Sequence, residues 1–348
     1  MKIKFLSGLF IAFLICLFVQ NESKAFWFFN KKEPVQNQAV FAPVNEVSGN
    51  KIWIGTFQLV WNDLVNEIVK KPVKFKGEKN LLAENLNKQG FSTKDLDEAS
   101  YYKKYGLMTP NLKEEMEKAI EEKFNTTSDI LNTLDWNSNQ LLIYAMLKKD
   151  FEYLKEFREI GFLPFSDNKN VKFFGAKGSK DLETFDNIEI LFYNNESDYA
   201  LKLITKGNDE VILYRTENNN TLENYFIELN KKTAEFKGDK KFNENDSLIV
   251  PYIKFKENFE YKELTNKKIK GSDYIISGAI QTAEFNLDNK GGSLKSEAAL
   301  IMKMSMPIIQ NERKFHFDKP FVLFLKEKDK QTPYFIMDVK NSNLLVKE

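Results

Sequence analysis

The stretch that decides the fold runs from Asn286 to Phe321 and reads NLDNKGGSLKSEAALIMKMSMPIIQNERKFHFDKPF. Between Leu294 and Met306 the even positions are Leu294, Ser296, Ala298, Leu300, Met302, Met304 and Met306, while the odd ones include Lys295, Glu297, Lys303 and Ser305. A period of two predicts a strand with one buried and one wetted face, because successive side chains of an extended chain point to opposite sides. Ahead of it TAEFNLD also reads as strand, and NKGG supplies a turn, since glycine reaches backbone conformations closed to other residues. By itself this is a long hairpin inside a sheet.

Strand patterns also lie upstream: LLIYAML from Leu141, then IEILFY, YALKLIT and EVILYR, separated by Asn, Asp and Gly turns. Before them the chain is helical in pattern. Trp53, Phe57, Trp61, Leu64 and Ile68 fall on one face at helical spacing, and Leu112, Met116, Ile120 and Phe124 do so again behind a Thr109-Pro110 start signal. Helices first and strands later, without regular alternation, indicate an α+β fold.

The N-terminus, MKIKFLSGLFIAFLICLFVQNESKA, places Lys2 and Lys4 before an apolar run from Phe5 to Val19 and ends in a small-residue site. That is the pattern of a secretory signal peptide cleaved near Ala25, which predicts a secreted or periplasmic protein. No later segment approaches the roughly 20 apolar residues of a membrane span. Residues 26–50 mix polar residues with Pro34 and Pro43 and read as an extended leader, and residues 51–348 as one domain. The only cysteine, Cys16, lies inside the signal, so disulfides and cysteine metal sites are excluded and stability must come from a core. Fifty-one basic against fifty acidic residues, mixed along the chain, give no net field for nucleic acid or anionic lipid.

Catalytic constellations do not assemble. His316 is the sole histidine, which rules out a histidine-rich metal site; in KFHFDKPF it reads as a solvent-facing strand residue with Phe315 and Phe317 on the opposite face. GAKGSK at Gly175 to Lys180 lacks the spacing of a phosphate loop and reads as a surface turn. Acid pairs such as Asp95 and Asp97 are too common here to mark a glycosidase. The inventory points away from an enzyme and implies no cofactor and no metal.

The C-terminal third resembles the serpins, the serine protease inhibitor family. SLIVPYIKFKENFEYKEL (Ser247 to Leu264), ISGAIQTAEFNLDNKG (Ile276 to Gly291) and FDKPFVLFLKEKDKQTPYFIMDVKN (Phe317 to Asn341) follow family segments in order and spacing, with Pro320, Phe321, Pro333 and Phe335 in register. SDILNTLDWNSNQLLIYAMLKKDFEYLKEF is similar further upstream. The chain departs from the pattern with Phe151 where the family has tryptophan, Gln281 for a histidine, Ile143 for an asparagine and Met337 for a glycine. The resemblance implies an α+β fold with N-terminal helices, a large central, mostly antiparallel sheet and a reactive-loop segment at about 291–316.

In that family a target protease cleaves the loop, and the freed segment inserts as a new strand, dragging the acyl-linked protease along and distorting its catalytic site. The resemblance assigns the hinge to Gly291, Gly292, Ser296, Glu297, Ala298 and Ala299. It assigns the inserting face to Leu300, Met302, Met304 and Met306, and the scissile region to Ile308, Ile309 and Gln310. The implied partner is a serine-type or cysteine-type protease, with no nucleic acid and with the chain itself a monomer. Two functional classes stay open. One is an exported inhibitor acting by insertion of residues 294–306; the other is a non-inhibitory binding or structural protein whose loop segment is permanently paired or never productively cleaved. Leu300 and Ile301, bulky where inhibitory members carry small side chains, and the residues Gly292 to Lys295 between Gly291 and Ser296 favour the second.

Overall fold

The computed structural model describes residues 40–136, 140–293 and 313–348. The signal-peptide reading and the leader up to residue 39 lie outside the described residues. Residues 39–348 form one compact unit.

The described chain opens with β1 (Asn45–Val47), β2 (Asn50–Ile54), helix α1 (Thr56–Asp63), which widens into a π-helical turn over Leu64–Val69, and the short α2 (Leu81–Leu86). Next come β3 (Tyr101–Leu107), α3 (Pro110–Phe124), β4 (Leu141–Leu147), β5 (Asp150–Glu152), β6 (Arg158–Pro164), β7 (Asn170–Lys177), β8 (Ile188–Asn195), β9 (Asp198–Ile204) and β10 (Asp209–Arg215). Helix α4 (Leu222–Glu235) separates these from β11 (Ser247–Pro251), β12 (Ile253–Glu260), β13 (Lys267–Lys268), β14 (Ile275–Ile276) and β15 (Ile280–Leu287). Four strands follow: β16 (Gly291–Ser293), β17 (Lys314–His316), β18 (Phe321–Glu327) and β19 (Phe335–Val339). The class is α+β, with leading helices and a large antiparallel sheet.

That sheet has seven strands in the order β1-β2-β19-β18-β10-β9-β8. Its central strand β18 is buried from Phe321 to Leu325 on both faces, so it reads as a continuous apolar run and not as alternation. A second sheet, β17-β11-β7-β6, contains the parallel pair β11–β17. A third runs β12-β15-β16-β5, and two ribbons pair β3 with β4 and β13 with β14.

Helix α3 follows its signals: Thr109 Oγ1 accepts from the Leu112 N–H at 3.2 Å, Pro110 opens the first turn, and Leu112, Met116, Ile120 and Phe124 are buried. They pack on Tyr144, Leu131 and Trp136, with Tyr102, Leu142 and Met146 at the margin, so α3 covers one face of the β3–β4 ribbon.

Three expectations need correction. Trp53 belongs to β2 and not to the helix that starts at Thr56; a coincidence of spacing joined a strand residue to a helical stripe. Residues 40–50, read as leader, enter the fold: Phe41 is buried against Trp53, and β1 pairs with β2. Helix α4 interrupts the region of strand patterns. Thr221 caps it by accepting from the Asn224 N–H, and Leu222, Tyr225 and Leu229 form a narrow buried stripe.

One polar group sits badly in this core. Asp338, on β19 opposite Lys51 and Val322, is fully buried. Its Oδ1 lies 3.0 Å from Lys340 Nζ, and Oδ2 meets no donor among the described residues. Burial outweighs the Lys340 ammonium and holds the carboxyl above its ordinary range. A carboxyl that binds its proton more tightly folded than unfolded stabilises at low pH, and that contribution is lost as pH rises from the unfolded value, about 4, through the raised folded one. Urea unfolding of Asp338→Asn between pH 4 and 7 should therefore show a gain over the parent that grows with pH. A gain that shrinks as pH rises contradicts the assignment.

Candidate functional site

The third sheet is incomplete along most of its length. β15 is laddered to β12 from Ile280 to Leu287, but on its other side only Asn286 and Leu287 have strand partners, the β16 residues Ser293 and Gly292. β16 in turn pairs with β5, Gly291 to Glu152, Gly292 to Phe151 and Ser293 to Asp150. β5 continues back through Lys149 and Lys148 into β4, whose only ladder among the described residues is with β3. The edges of β4 and β15 thus face each other across a slot that β16 closes at one end.

The slot holds a cavity of about 130 Å³. Its walls are Tyr144 to Lys148 and Ile280 to Phe285; Ile54, Phe57, Val60 and Phe335 line it as well, together with the segment 126–130. Parity sorts the wall side chains. Leu147 on β4 and Ala283 and Phe285 on β15 belong to the main core, while Tyr144 belongs to the cluster under α3. Burial pushes the Tyr144 hydroxyl up to about 12, against the opposing hydrogen bond with Ser128, so it stays protonated as a donor. Gln281, buried at the far end, accepts from Tyr261 OH at 2.6 Å, and Asn45 Nδ2 donates to that tyrosine at 3.2 Å. A polar fastener thus closes the far end of the slot wall.

Glycine is required where β16 wedges in. A Cβ on Gly291 would lie 2.1 Å from Phe151 O, and one on Gly292 would lie 2.3 Å from the Phe151 ring. The turn ahead of β16 is bonded throughout: Asp288 Oδ1 accepts from the Lys290 and Gly291 N–H groups, and Asp288 N–H donates to Gly291 O. Asn289 pins the turn from outside. Its Nδ2 donates to Glu156 at 2.7 Å and to Phe157 O, and its Oδ1 accepts from Tyr252 OH at 2.7 Å. Burial, then the adjacent Glu159 carboxylate, raises the Tyr252 hydroxyl well above its ordinary value, so this proton too remains in place.

Below the joint between β4 and β5, Lys149 turns into the core. Its ammonium sits 2.5 Å from Glu327 Oε1 and 2.9 Å from Asp209 Oδ1, with all three side chains buried. Glu327 also accepts from Ser100 Oγ and from the Asp97 N–H, and Asp209 from Tyr334 OH. The cluster fastens the slot wall to β18 and β10 of the large sheet. Sequence reasoning missed it, and missed Asn289; the only available signal was a charge at the end of an apolar run, as in FVLFLKE.

Of the residues that the resemblance assigns, Gly291 and Gly292 are brought to the head of the slot. Ser296, Glu297, Ala298, Ala299, Leu300, Met302, Met304, Met306, Ile308, Ile309 and Gln310 lie outside the described residues. His316 is half-buried and not solvent-facing, because Ser247 Oγ lies 2.8 Å from its Nε2; Phe315 and Phe317 are buried as the alternation requires. Ser247 is only 1% exposed and the neighbouring Asp246 carboxylate is held by Arg313, so this serine–histidine contact ties β11 to β17 and offers no nucleophile. Gly175 to Lys177 finish β7 instead of forming a surface turn, since the backbone of β11 crosses close over Gly175. Asp95 and Asp97 accept from the N–H groups of Ser92 and Ala99 at helix starts.

No protein-family model and no curated protein matches this sequence. Solved structures do. Serpin48, described as a highly specific serpin of the insect Tenebrio molitor, is 14% identical with a TM-score of 0.47, covering 84% of this chain and 92% of its own. Thyroxine-binding globulin in complex with thyroxine is 13% identical with a TM-score of 0.43, covering 66% and 64%. A second structure, of human thyroxine-binding globulin, is 12% identical with a TM-score of 0.41 over 67% and 65%.

Two pairs of substitutions test this arrangement. Gly291→Val should lower stability by roughly 1–3 kcal/mol through overpacking and speed amide exchange at Tyr153 and Phe157, whose N–H groups donate to Lys290 O and Asn289 O. Gly278→Val, where a Cβ meets nothing within 4 Å, should do neither. Unchanged protection in Gly291→Val would show that β16 is not held by the close approach. Lys149→Met strands two buried carboxylates and should cost roughly 3–5 kcal/mol in urea unfolding, with Glu327→Gln in the same chain recovering part of it.

Proposed function

We propose that this chain is an exported, divergent serpin-like protein that inhibits serine-type proteases by inserting its own cleaved loop into the slot. The observation that carries the reading is the open seam between β4 and β15, entered at one end by β16 in a register that the following residues can continue.

Antiparallel pairing of Ser293 with Asn286 and with Asp150 fixes what would come next. One residue further, Leu294 would stand opposite Phe285 and Lys149. Ser296 would then meet Ala283 and Leu147, and Ala298 would meet Gln281 and Ala145. Phe285, Ala283, Gln281 and Leu147 are buried, so the even-numbered side chains would turn inward. That is the parity at which the ribbon carries Leu294, Leu300, Met302, Met304 and Met306. Lys295 would turn outward opposite Glu284. A slip of one residue would bury Lys295 and Glu297 instead, which the pattern forbids.

Main-chain bonds to two waiting edges, with burial of several large apolar side chains at roughly 1.5–3 kcal/mol each, would drive the step. The target's own catalytic groups supply the chemistry, and the inhibitor supplies the strand. The N-terminal export signal that the sequence predicts fits a protein that meets foreign proteases outside the cytoplasm. The bulk of Leu300 and Ile301 supports the second reading, a binding protein of the same fold whose loop never traps a protease.

Limited proteolysis after Met306, followed by thermal unfolding and by gel electrophoresis with a panel of serine proteases, separates these. Insertion should raise Tm by roughly 10 °C or more, and inhibition should add an SDS-resistant complex. A raised Tm without a complex selects the binding protein, and an unchanged Tm removes insertion altogether.

A further inference from the structure

Near the far end of the slot strands lies a lysine-rich ribbon that the loop-insertion reading does not use. The segment after α1 pairs with β13: Phe75 bridges Ile269, the Lys76 N–H donates to Lys268 O at 3.0 Å, and the Lys270 N–H donates to Lys74 O at 2.7 Å. On its other side Lys268 pairs with Ile275 of β14. The three segments make a short ribbon whose inward residues Val73, Phe75 and Ile269 belong to an apolar cluster with Leu264 and Leu86.

Strand alternation then throws the intervening residues outward. Lys74, Lys76, Lys268 and Lys270 are all exposed, and Ile275 and Tyr274 are 58% and 47% exposed. One rung across the ribbon reads Lys76, Lys268, Ile275; the next holds Lys74 opposite Lys270. Directly opposed side chains in an antiparallel pair stand about 5 Å apart at Cβ, and like charges there repel. The apolar inner face and the backbone bonds of the ribbon therefore hold these lysines together against their repulsion.

The surrounding charges do not offset it. Residues 70–79 and 267–276 contain eight lysines against two acids, Glu78 and Asp273. Glu78 is bound by Lys267, and Asp273 reaches Lys268 at 3.3 Å from a fully exposed position where such a contact contributes little. Among the described residues no carboxylate lies within ion-pair distance of Lys74, Lys76 or Lys270. The near-neutral charge of the whole chain thus contains a local excess of lysine at this ribbon.

We infer that the ribbon docks the protein on the surface of an anionic bilayer, its lysines at the headgroup phosphates and Ile275, which shares their face, in the interfacial layer. Ile275, 58% exposed on the lysine face, decides the class of partner. A polyanion in solution would use the lysines and leave Ile275 in water, whereas a bilayer takes both, since an aliphatic side chain gains at the boundary between headgroups and acyl chains. Each lysine near such a surface contributes roughly a fivefold gain in partitioning, within a screening length of about 8 Å at physiological salt.

The test is co-sedimentation of the full chain with phosphatidylglycerol–phosphatidylcholine vesicles and with pure phosphatidylcholine vesicles, at low and high salt. Because Phe5–Val19 partitions into any lipid through its own hydrophobicity, the quantity read is the ratio of anionic to zwitterionic binding. The variant Lys74→Glu with Lys268→Glu places one acid on each rung opposite a remaining lysine, so it relieves repulsion and should fold at least as stably as the parent. It should reduce the ratio at least roughly 25-fold, as should high salt in the parent, and Ile275→Ser should weaken anionic binding several-fold. Lys118→Glu on α3 serves as the control that leaves the ratio unchanged. An equal ratio in parent and double variant overturns the proposal, as does binding of double-stranded DNA that anionic vesicles fail to displace.

Discussion

A strand edge that lacks a neighbour leaves a row of backbone N–H and C=O groups to be satisfied by water or by another chain. Here two such edges, on β4 and β15, confront each other, and the structure depends on their being kept apart. Closing the seam directly would bring two parallel strands together and eject β16. It is prevented at the head by a third strand already bonded to both walls, which only glycine backbones can form over Phe151. Lower down, Phe57, Val60 and Phe335 line the slot from the sides that the two strands leave open, so the space remains a cavity of about 130 Å³ and does not collapse.

The polar groups around the slot act as fasteners whose value lies in position more than in stability. Lys149, Glu327 and Asp209 hold the β4–β5 joint to the large sheet. Three charges taken out of water are costly, and apolar residues of similar size would serve stability as well or better. What apolar residues would not supply is a fixed register, because a slipped strand could still bury a methionine but could not still satisfy an ammonium. Asn289 does the same for the turn before β16, with Glu156, Tyr252 and the backbone of Phe157 meeting its amide. The wall, the turn and the entering strand are each located by groups that tolerate a single alignment.

Elements that announce themselves locally were legible in the sequence. The stripe Leu112, Met116, Ile120, Phe124 with its Thr109 cap gives α3, and LLIYAML, IEILFY and EVILYR give β4, β8 and β10. The Gly-Gly pair reads in sequence only as a turn, whereas the structure bends the chain at Asp288–Lys290 and uses the two glycines in β16, where the backbone passes close over Phe151. What could not be read was whatever depends on distant partners. Glu327 and Lys149 are far apart in sequence and look like ordinary surface charges until the sheet brings them together. Trp53 satisfied a helical period by chance while its backbone paired with Ile336 of β19. Charge is the clearest case. A balance taken along the chain cannot register that Lys74 and Lys270 are neighbours.

Parity links the legible part to the illegible part. The ribbon after Ser293 carries its large apolar side chains on even positions, a fact of sequence alone. The pairing of Ser293 with Asn286 and Asp150 is a fact of structure alone, and a strand continued in that register would turn even positions toward the core. Nothing requires the two to agree, since lengthening the Asp288–Lys290 turn by one residue would invert the relation and present Lys295 and Glu297 to Phe285 and Ala283. The burial of Gln281 limits how far the agreement extends. Opposite it a small residue is needed, and Ala298 is what the register would bring there, whereas Leu300 and its successors would reach the stretch beyond the buried wall of β15. The same arithmetic that favours entry of the first residues therefore makes the later, bulkier ones depend on how far the lower walls of the slot can part.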